Sequence, residues 1–131
     1  MIALDTNVLV RLLLADDAAQ LAKALGVLEP YWEQGGKAFL SDIVLAELEW
    51  VLGAVYGVPR LEILSTFHAV ATNERFRVQD QPRLLEALQS YQSGRADLAD
   101  YLIGLAGNAA GADTTLTFDR ALRTDRAFHV L

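Results

Sequence analysis

The chain has 131 residues, of which 53% are hydrophobic, and its formal net charge at pH 7 is −6. This length and apolar content predict a single globular domain over residues 1–131 and argue against disorder. The absence of cysteine excludes disulfides and zinc–thiolate sites. The acidic balance weighs against a nucleic-acid partner, because phosphate contacts need lysine and arginine.

The sequence gives no sign of secretion or of membrane insertion. Asp5 stands where a secretory signal has its apolar stretch. The charge-free run at 101–112 is far shorter than the roughly 20 apolar residues that cross a bilayer. We therefore expect a cytoplasmic protein with no membrane partner.

Short apolar runs alternate with longer amphipathic stretches, a pattern typical of an α/β fold. Glycine and proline breakers separate the segments, and Pro30 is expected to kink or split the second helix. The sequence predicts strands near residues 2–4, 37–40, 76–78, 115–118 and 128–130. It predicts helices near residues 7–14, 17–34, 42–56, 60–72, 81–93 and 98–110. The last helix is rich in glycine and alanine, which predicts close packing against the sheet.

Four acidic residues, far apart in the sequence, stand at strand ends or in helices. Asp5 and Asp119 each follow a predicted strand, whereas Glu47 and Asp100 lie in predicted helices. If the strands form one parallel sheet, these carboxylates can meet at one edge of it. Carboxylate oxygens are the ligands of hard divalent cations, so the pattern predicts a site for Mg²⁺ or Mn²⁺.

Each acid also has a simpler structural explanation. Asp5 and Asp119 are favoured helix caps, and an acid in the first turn of a helix, such as Asp100, is favoured by the helix dipole. Helical geometry places Glu47 at the border of the apolar stripe and predicts that Glu49 is more exposed. The joint pattern still favours a metal site, because two strand-end aspartates and two helical acids recur in one small domain.

Four blocks of the sequence resemble the PIN-domain family, and within it the VapC-type toxins of bacterial and archaeal toxin–antitoxin pairs. The blocks are, in order, Leu4-Asp5-Thr6-Asn7-Val8-Leu9, Ala46-Glu47-Leu48, Ala96-Asp97-Leu98-Ala99-Asp100 and Leu116-Thr117-Phe118-Asp119. The resemblance implies a three-layer α/β/α PIN-like fold with a central, mostly parallel sheet. It also implies a Mg²⁺- or Mn²⁺-dependent endoribonuclease that forms a homodimer and is inhibited by a cognate antitoxin.

The resemblance assigns roles to individual residues. Asp5, Glu47, Asp100 and Asp119 match the family's catalytic, metal-binding quartet, and Asp97 matches a frequent accessory acid. Oxygen-bearing side chains near them are expected to position water or phosphate; these are Thr6, Asn7 and Thr117.

An RNA substrate would approach over arginines near the acids. Arginine suits bidentate phosphate contacts, and the chain has nine arginines against two lysines. Tyr101 stands where the family would place a small residue, so it either narrows the pocket or stacks on a base. The expected RNA-binding residues are Arg11, Arg95, Arg120, Arg123 and Tyr101.

Two other functions stay open at this point. A non-catalytic PIN-like module that binds protein or RNA would keep the fold without the activity, although intact acids at all four positions argue against it. A haloacid-dehalogenase-like phosphatase also places an aspartate after its first strand. It needs a second acid two residues later, where this chain has Asn7.

Overall fold

The computed structural model describes residues 1–131 and contains six α-helices and four short β-strands. The helices are α1 Thr6–Leu14, α2 Ala18–Glu33, α3 Asp42–Trp50, α4 Arg60–Thr72, α5 Gln81–Ser93 and α6 Leu98–Ala109. The strands are β1 Ala38–Leu40, β2 Phe76–Val78, β3 Thr115–Thr117 and β4 Phe128–Val130. A π-helical turn at Val51–Val55 continues α3, and a 3-10 turn spans Arg120–Leu122.

All strand pairs are parallel, as predicted, but they form two separate two-stranded ladders rather than one central sheet. β1 pairs with β2 and β3 pairs with β4, so the strands form two parallel ladders. The strand predicted at 2–4 is reduced to a single bridge between Ala3 and Phe39, which extends the first ladder. The fold is therefore α/β, and it is consistent with a three-layer α/β/α arrangement.

The helices follow the predicted segments closely, with two differences. The helix predicted at 42–56 ends as an α-helix at Trp50, after which the chain widens into the π-helical turn. Pro30, expected to kink or split the second helix, does not split it, because α2 runs through it to Glu33. Pro30 lies in the last turn and has no N–H to donate to the carbonyl of Gly26. Because Gly26 is exposed, water can reach that carbonyl instead. None of the helices is long and apolar enough to cross a bilayer.

One hydrophobic cluster of 23 buried residues connects the helices with the first ladder. The predicted close approach of the last helix to the sheet is confirmed at Gly104. A Cβ atom there would come within 2.6 Å of the Phe128 ring, which belongs to β4. This contact packs α6, whose first turn carries Asp100, against the second ladder.

Candidate active site

The N-terminus of α1 brings two of the candidate acids together. Asp5 caps the helix, and its Oδ1 accepts the Asn7 N–H at 3.1 Å. Thr6 is buried, and its hydroxyl donates to Glu47 Oε2 at 2.8 Å. This bond holds the Glu47 carboxylate of α3 at the end of α1 that carries Asp5. Capping and cation binding are compatible here, because the cap uses one oxygen of Asp5.

A second group of acids forms at the N-terminus of α6. Asp97 is the exposed cap residue and Asp100 lies half-buried in the first turn, where its Oδ2 accepts the Asp97 N–H at 3.2 Å. Burial raises the pKa of Asp100, and the negative charges of Asp97 and Asp119 raise it further. The last strand-end aspartate therefore acts electrostatically on the first turn of α6.

Asp119 is held in a defined turn directly after β3. Its Oδ1 accepts the Ala121 N–H at 2.9 Å, which caps the 3-10 turn. Its own N–H donates to Thr117 Oγ1 at 3.0 Å. Thr117 thus orients the backbone of Asp119. Only Oδ1 of the Asp119 carboxylate accepts a hydrogen bond, so its second oxygen is free.

The candidate acids carry negative charge that no basic side chain neutralises. The ion pairs of the molecule join Arg11 to Asp16 and Arg83 to Asp42 and Asp80, none of which belongs to the site. No three acidic or histidine side chains lie close enough together to surround one ion. Mg²⁺ keeps several of its waters and is commonly bound through one or two carboxylates. The oxygen-only donor set therefore fits a hard divalent cation.

The expectation for the two glutamates of α3 is wrong. Glu47 is exposed, whereas Glu49 is 8% exposed and is the one buried acid of the chain. Its Oε2 accepts the Leu98 N–H at 2.6 Å, and its Oε1 accepts the Ala99 N–H at 2.9 Å. Burial raises the pKa of Glu49, while these two hydrogen bonds act in the opposite direction. No local sequence signal could find this contact, because the partners lie 49 and 50 residues apart.

The expectation that Tyr101 narrows the pocket or stacks on a base is also wrong. Tyr101 is 5% exposed, and its hydroxyl accepts the Ala96 N–H at 3.3 Å while facing Gly94. The residue belongs to the core and offers no ring face to a ligand. The most exposed aromatic side chain is Phe118, which is 83% exposed and immediately precedes Asp119. The apolar run before Asp119 predicted a strand and hid this exposure.

Three of the predicted RNA-binding arginines line one open cleft. Arg95, Arg120 and Arg123 face it together with Ser93 and Thr124. Arg120 directly follows Asp119, so the cleft adjoins the acidic site.

Arg11 does not join this cleft. Its guanidinium donates to Gln20 Oε1 at 2.7 Å, to Asp16 Oδ1 at 3.1 Å and to the Tyr56 hydroxyl at 3.3 Å. These bonds occupy Arg11 within the protein.

The fold and the site together define an α/β domain with unpaired carboxylates at the starts of two helices and after a strand. The model of the PIN domain family matches residues 2–125, and the chain belongs to that family. PIN domains are generally metal-dependent nucleases, and they usually use divalent ions. A search of curated proteins found no match.

Proposed function

We propose that the protein is a divalent-metal-dependent endoribonuclease that cleaves RNA phosphodiester bonds with Mg²⁺ or Mn²⁺. The carrying observation is a set of acids, from α1, α3, α6 and the turn after β3, that have no basic partner. Asp100 is half-buried, and the charges of Asp97 and Asp119 raise its pKa further, so a cation bound there would relieve the cost of keeping its carboxylate charged. Membership of a nuclease family supports the same conclusion.

Asp5 and Asp100 are proposed to hold the principal ion. Glu47 and Asp119 complete the site, directly or through water, and Asp97 is an accessory ligand. A bound divalent ion lowers the pKa of a water molecule and neutralises the leaving oxygen. The chain needs no nucleophile of its own for this chemistry.

The neutral side chains around the acids have orienting roles. The Thr6 hydroxyl donates to one oxygen of Glu47, and the other oxygen would serve as a ligand for water or metal. Thr117 fixes the turn that presents Asp119. Asn7 is exposed beside Asp5 and is proposed to position water or phosphate.

The substrate is proposed to lie across the cleft of Arg95, Arg120 and Arg123. Guanidinium groups bind phosphate oxygens in a bidentate manner, so this cleft suits the backbone next to the bond that is cut. Phe118 offers a flat aromatic face beside Asp119, on which an unpaired base can stack. A local basic cleft thus serves RNA despite the net charge of −6.

We further propose that this nuclease acts in the cytoplasm as the toxin of a toxin–antitoxin pair and is inhibited by its cognate antitoxin. The four acidic blocks that resemble VapC-type toxins support this role. Apolar side chains that would be covered in a homodimer also support it. Along α3, the π-helical turn and α4 these are Ile43, Trp50, Val55 and Leu61, which are 72%, 65%, 60% and 76% exposed.

The test is cleavage of single-stranded RNA and of total cellular RNA by purified, antitoxin-free protein with Mn²⁺ or with EDTA. Asp5→Asn and Asp100→Asn each remove one charge from the site. Asp113→Asn is the matched control, because this exposed aspartate precedes β3, at the end of the strand away from Asp119.

We expect cutting that depends on Mn²⁺ and that falls by more than about 100-fold in both site variants. Groups that merely orient metal ligands are already worth about 10–100-fold. Wild-type rates in both site variants would refute the site. Folded protein that cuts neither RNA would instead indicate a non-catalytic interaction module.

A further inference from the structure

Two backbone N–H groups in the first turn of α6 donate hydrogen bonds to a side chain from another helix. The N–H groups that open a helix have no acceptor within it. In α6, those of Leu98 and Ala99 both donate to the Glu49 carboxylate. The next two, of Asp100 and Tyr101, donate to the Asp97 carbonyl at 3.1 and 3.4 Å. Glu49 therefore supplies the acceptors that fix the start of the helix carrying Asp100.

Glu49 belongs to α3, and this helix is hydrogen-bonded to the N-termini of both α1 and α6, which carry acids of the site. Residues two apart on a helix point about 200° apart, so Glu47 and Glu49 leave opposite sides of α3. Glu47 bonds to Thr6 at the start of α1, and Glu49 bonds to the start of α6. A change in the Glu49 contact would alter the position of α6 relative to the helix that holds Glu47.

We propose that Glu49 is a positioning residue for the metal site, acting through the N-terminus of α6 on the carboxylates of Asp97 and Asp100. This inference rests on the proposed function of the site. Glu49 does not itself hold the ion, because each of its oxygens already accepts an N–H and its side chain is buried. Its carboxylate acts as a bidentate acceptor whose geometry is transmitted through one turn of helix.

Only a carboxylate of the right length meets this requirement. In Glu49→Gln one acceptor becomes an NH₂ group that faces a backbone N–H, so one buried donor loses its partner. In Glu49→Asp the charge stays, but the carboxylate is one methylene further from Leu98 and Ala99. The two variants therefore separate the effect of position from the effect of charge.

The experiment measures Mn²⁺ affinity by titration calorimetry, together with kcat and KM for RNA and the free energy of unfolding. Asp17→Ala is the matched control. Asp17 caps α2 by accepting the Gln20 N–H at 3.0 Å, on a helix that carries none of the site's acids. This control loses a helix cap without touching α6.

We expect Glu49→Gln and Glu49→Asp each to weaken Mn²⁺ binding by about 10–100-fold, the range seen when groups that orient metal ligands are removed. The KM for RNA should stay constant, and saturating Mn²⁺ should restore kcat. Asp17→Ala should be less stable but bind Mn²⁺ as the wild type does.

Wild-type Mn²⁺ affinity in Glu49→Asp would overturn the proposal, because the charge alone would then suffice. Equal losses of affinity in Asp17→Ala would also overturn it, because they would reflect general destabilisation. If Glu49→Gln does not fold, Glu49→Asp gives the same decision. Failure of the unaltered protein to bind Mn²⁺ would refute the proposed function itself, and this inference with it.

Discussion

The placement of Tyr101 in the core predicts a steric coupling with Gly94. The backbone of Gly94 has φ −100° and ψ −169°, which is extended and open to any residue. An alanine at position 94 is therefore unfavourable only because of steric overlap. Its Cβ would overlap the Tyr101 hydroxyl oxygen and would lie 2.9 Å from the Ser90 carbonyl oxygen. Overpacking of this kind costs about 1–3 kcal/mol, so Gly94→Ala should lower the free energy of unfolding by about 2 kcal/mol.

Removing the hydroxyl should relieve part of this cost. Tyr101→Phe alone loses the 3.3 Å bond from the Ala96 N–H and should cost about 1 kcal/mol. In the double variant the overlap with the hydroxyl is gone, while the close contact with the Ser90 carbonyl remains. We therefore expect a total loss of about 2 kcal/mol rather than the additive 3, a coupling of about 1 kcal/mol.

Urea unfolding followed by circular dichroism measures all four corners of this cycle. Gly26→Ala is the control, because a Cβ on that exposed helical glycine meets nothing within 4 Å. It should stabilise the protein by about 0.5–1 kcal/mol. Additive losses at Gly94 and Tyr101 would refute the reasoning, because they would show that the Tyr101 hydroxyl does not limit the space at position 94.

Two further predictions concern substrate binding and pH. Phe118→Ala should raise the Kd for single-stranded RNA, measured by fluorescence anisotropy with catalytically inactive protein, by about 5–150-fold, since a stacked base is worth about 1–3 kcal/mol. Phe118→Tyr should bind normally, and unchanged binding by the alanine variant would contradict the stacking role. Burial raises the pKa of Tyr91 above its ordinary value of 10.0, so the folded state keeps this proton to higher pH than the unfolded chain does. The protonated hydroxyl of Tyr91 therefore contributes its full share of stability below the unfolded pKa of about 10, and this share is lost as the pH rises through the folded pKa. The Tm of Tyr91→Phe should therefore fall less than the Tm of the wild type between about pH 9 and 11. Parallel plots of Tm against pH for the two proteins would contradict this prediction.

The sequence by itself determined the elements and their order. Helices 60–72 and 81–93 and strands 76–78 and 128–130 lie where hydrophobic periodicity and turn residues put them. These signals are local, since they reflect the repeat of a helix or strand and the backbone limits of glycine and proline. Local chemistry also predicted that Asp5 and Asp119 cap a helix or turn, and both do.

Tertiary structure decided which side chains are buried and which remain available to a ligand. The predicted strand 2–4 became a single bridge, because a strand needs a partner along its length and Ala3 pairs only with Phe39. The periodicity of α3 gives the direction in which the Glu49 side chain points, but it does not show that the N-terminus of α6 lies in that direction. Glu49 is buried because the N–H groups of a helix about 50 residues away need an acceptor. Tyr101 is buried and Phe118 is exposed for the same reason: the exposure of an aromatic ring depends on what packs against it, and that is fixed only when distant segments meet.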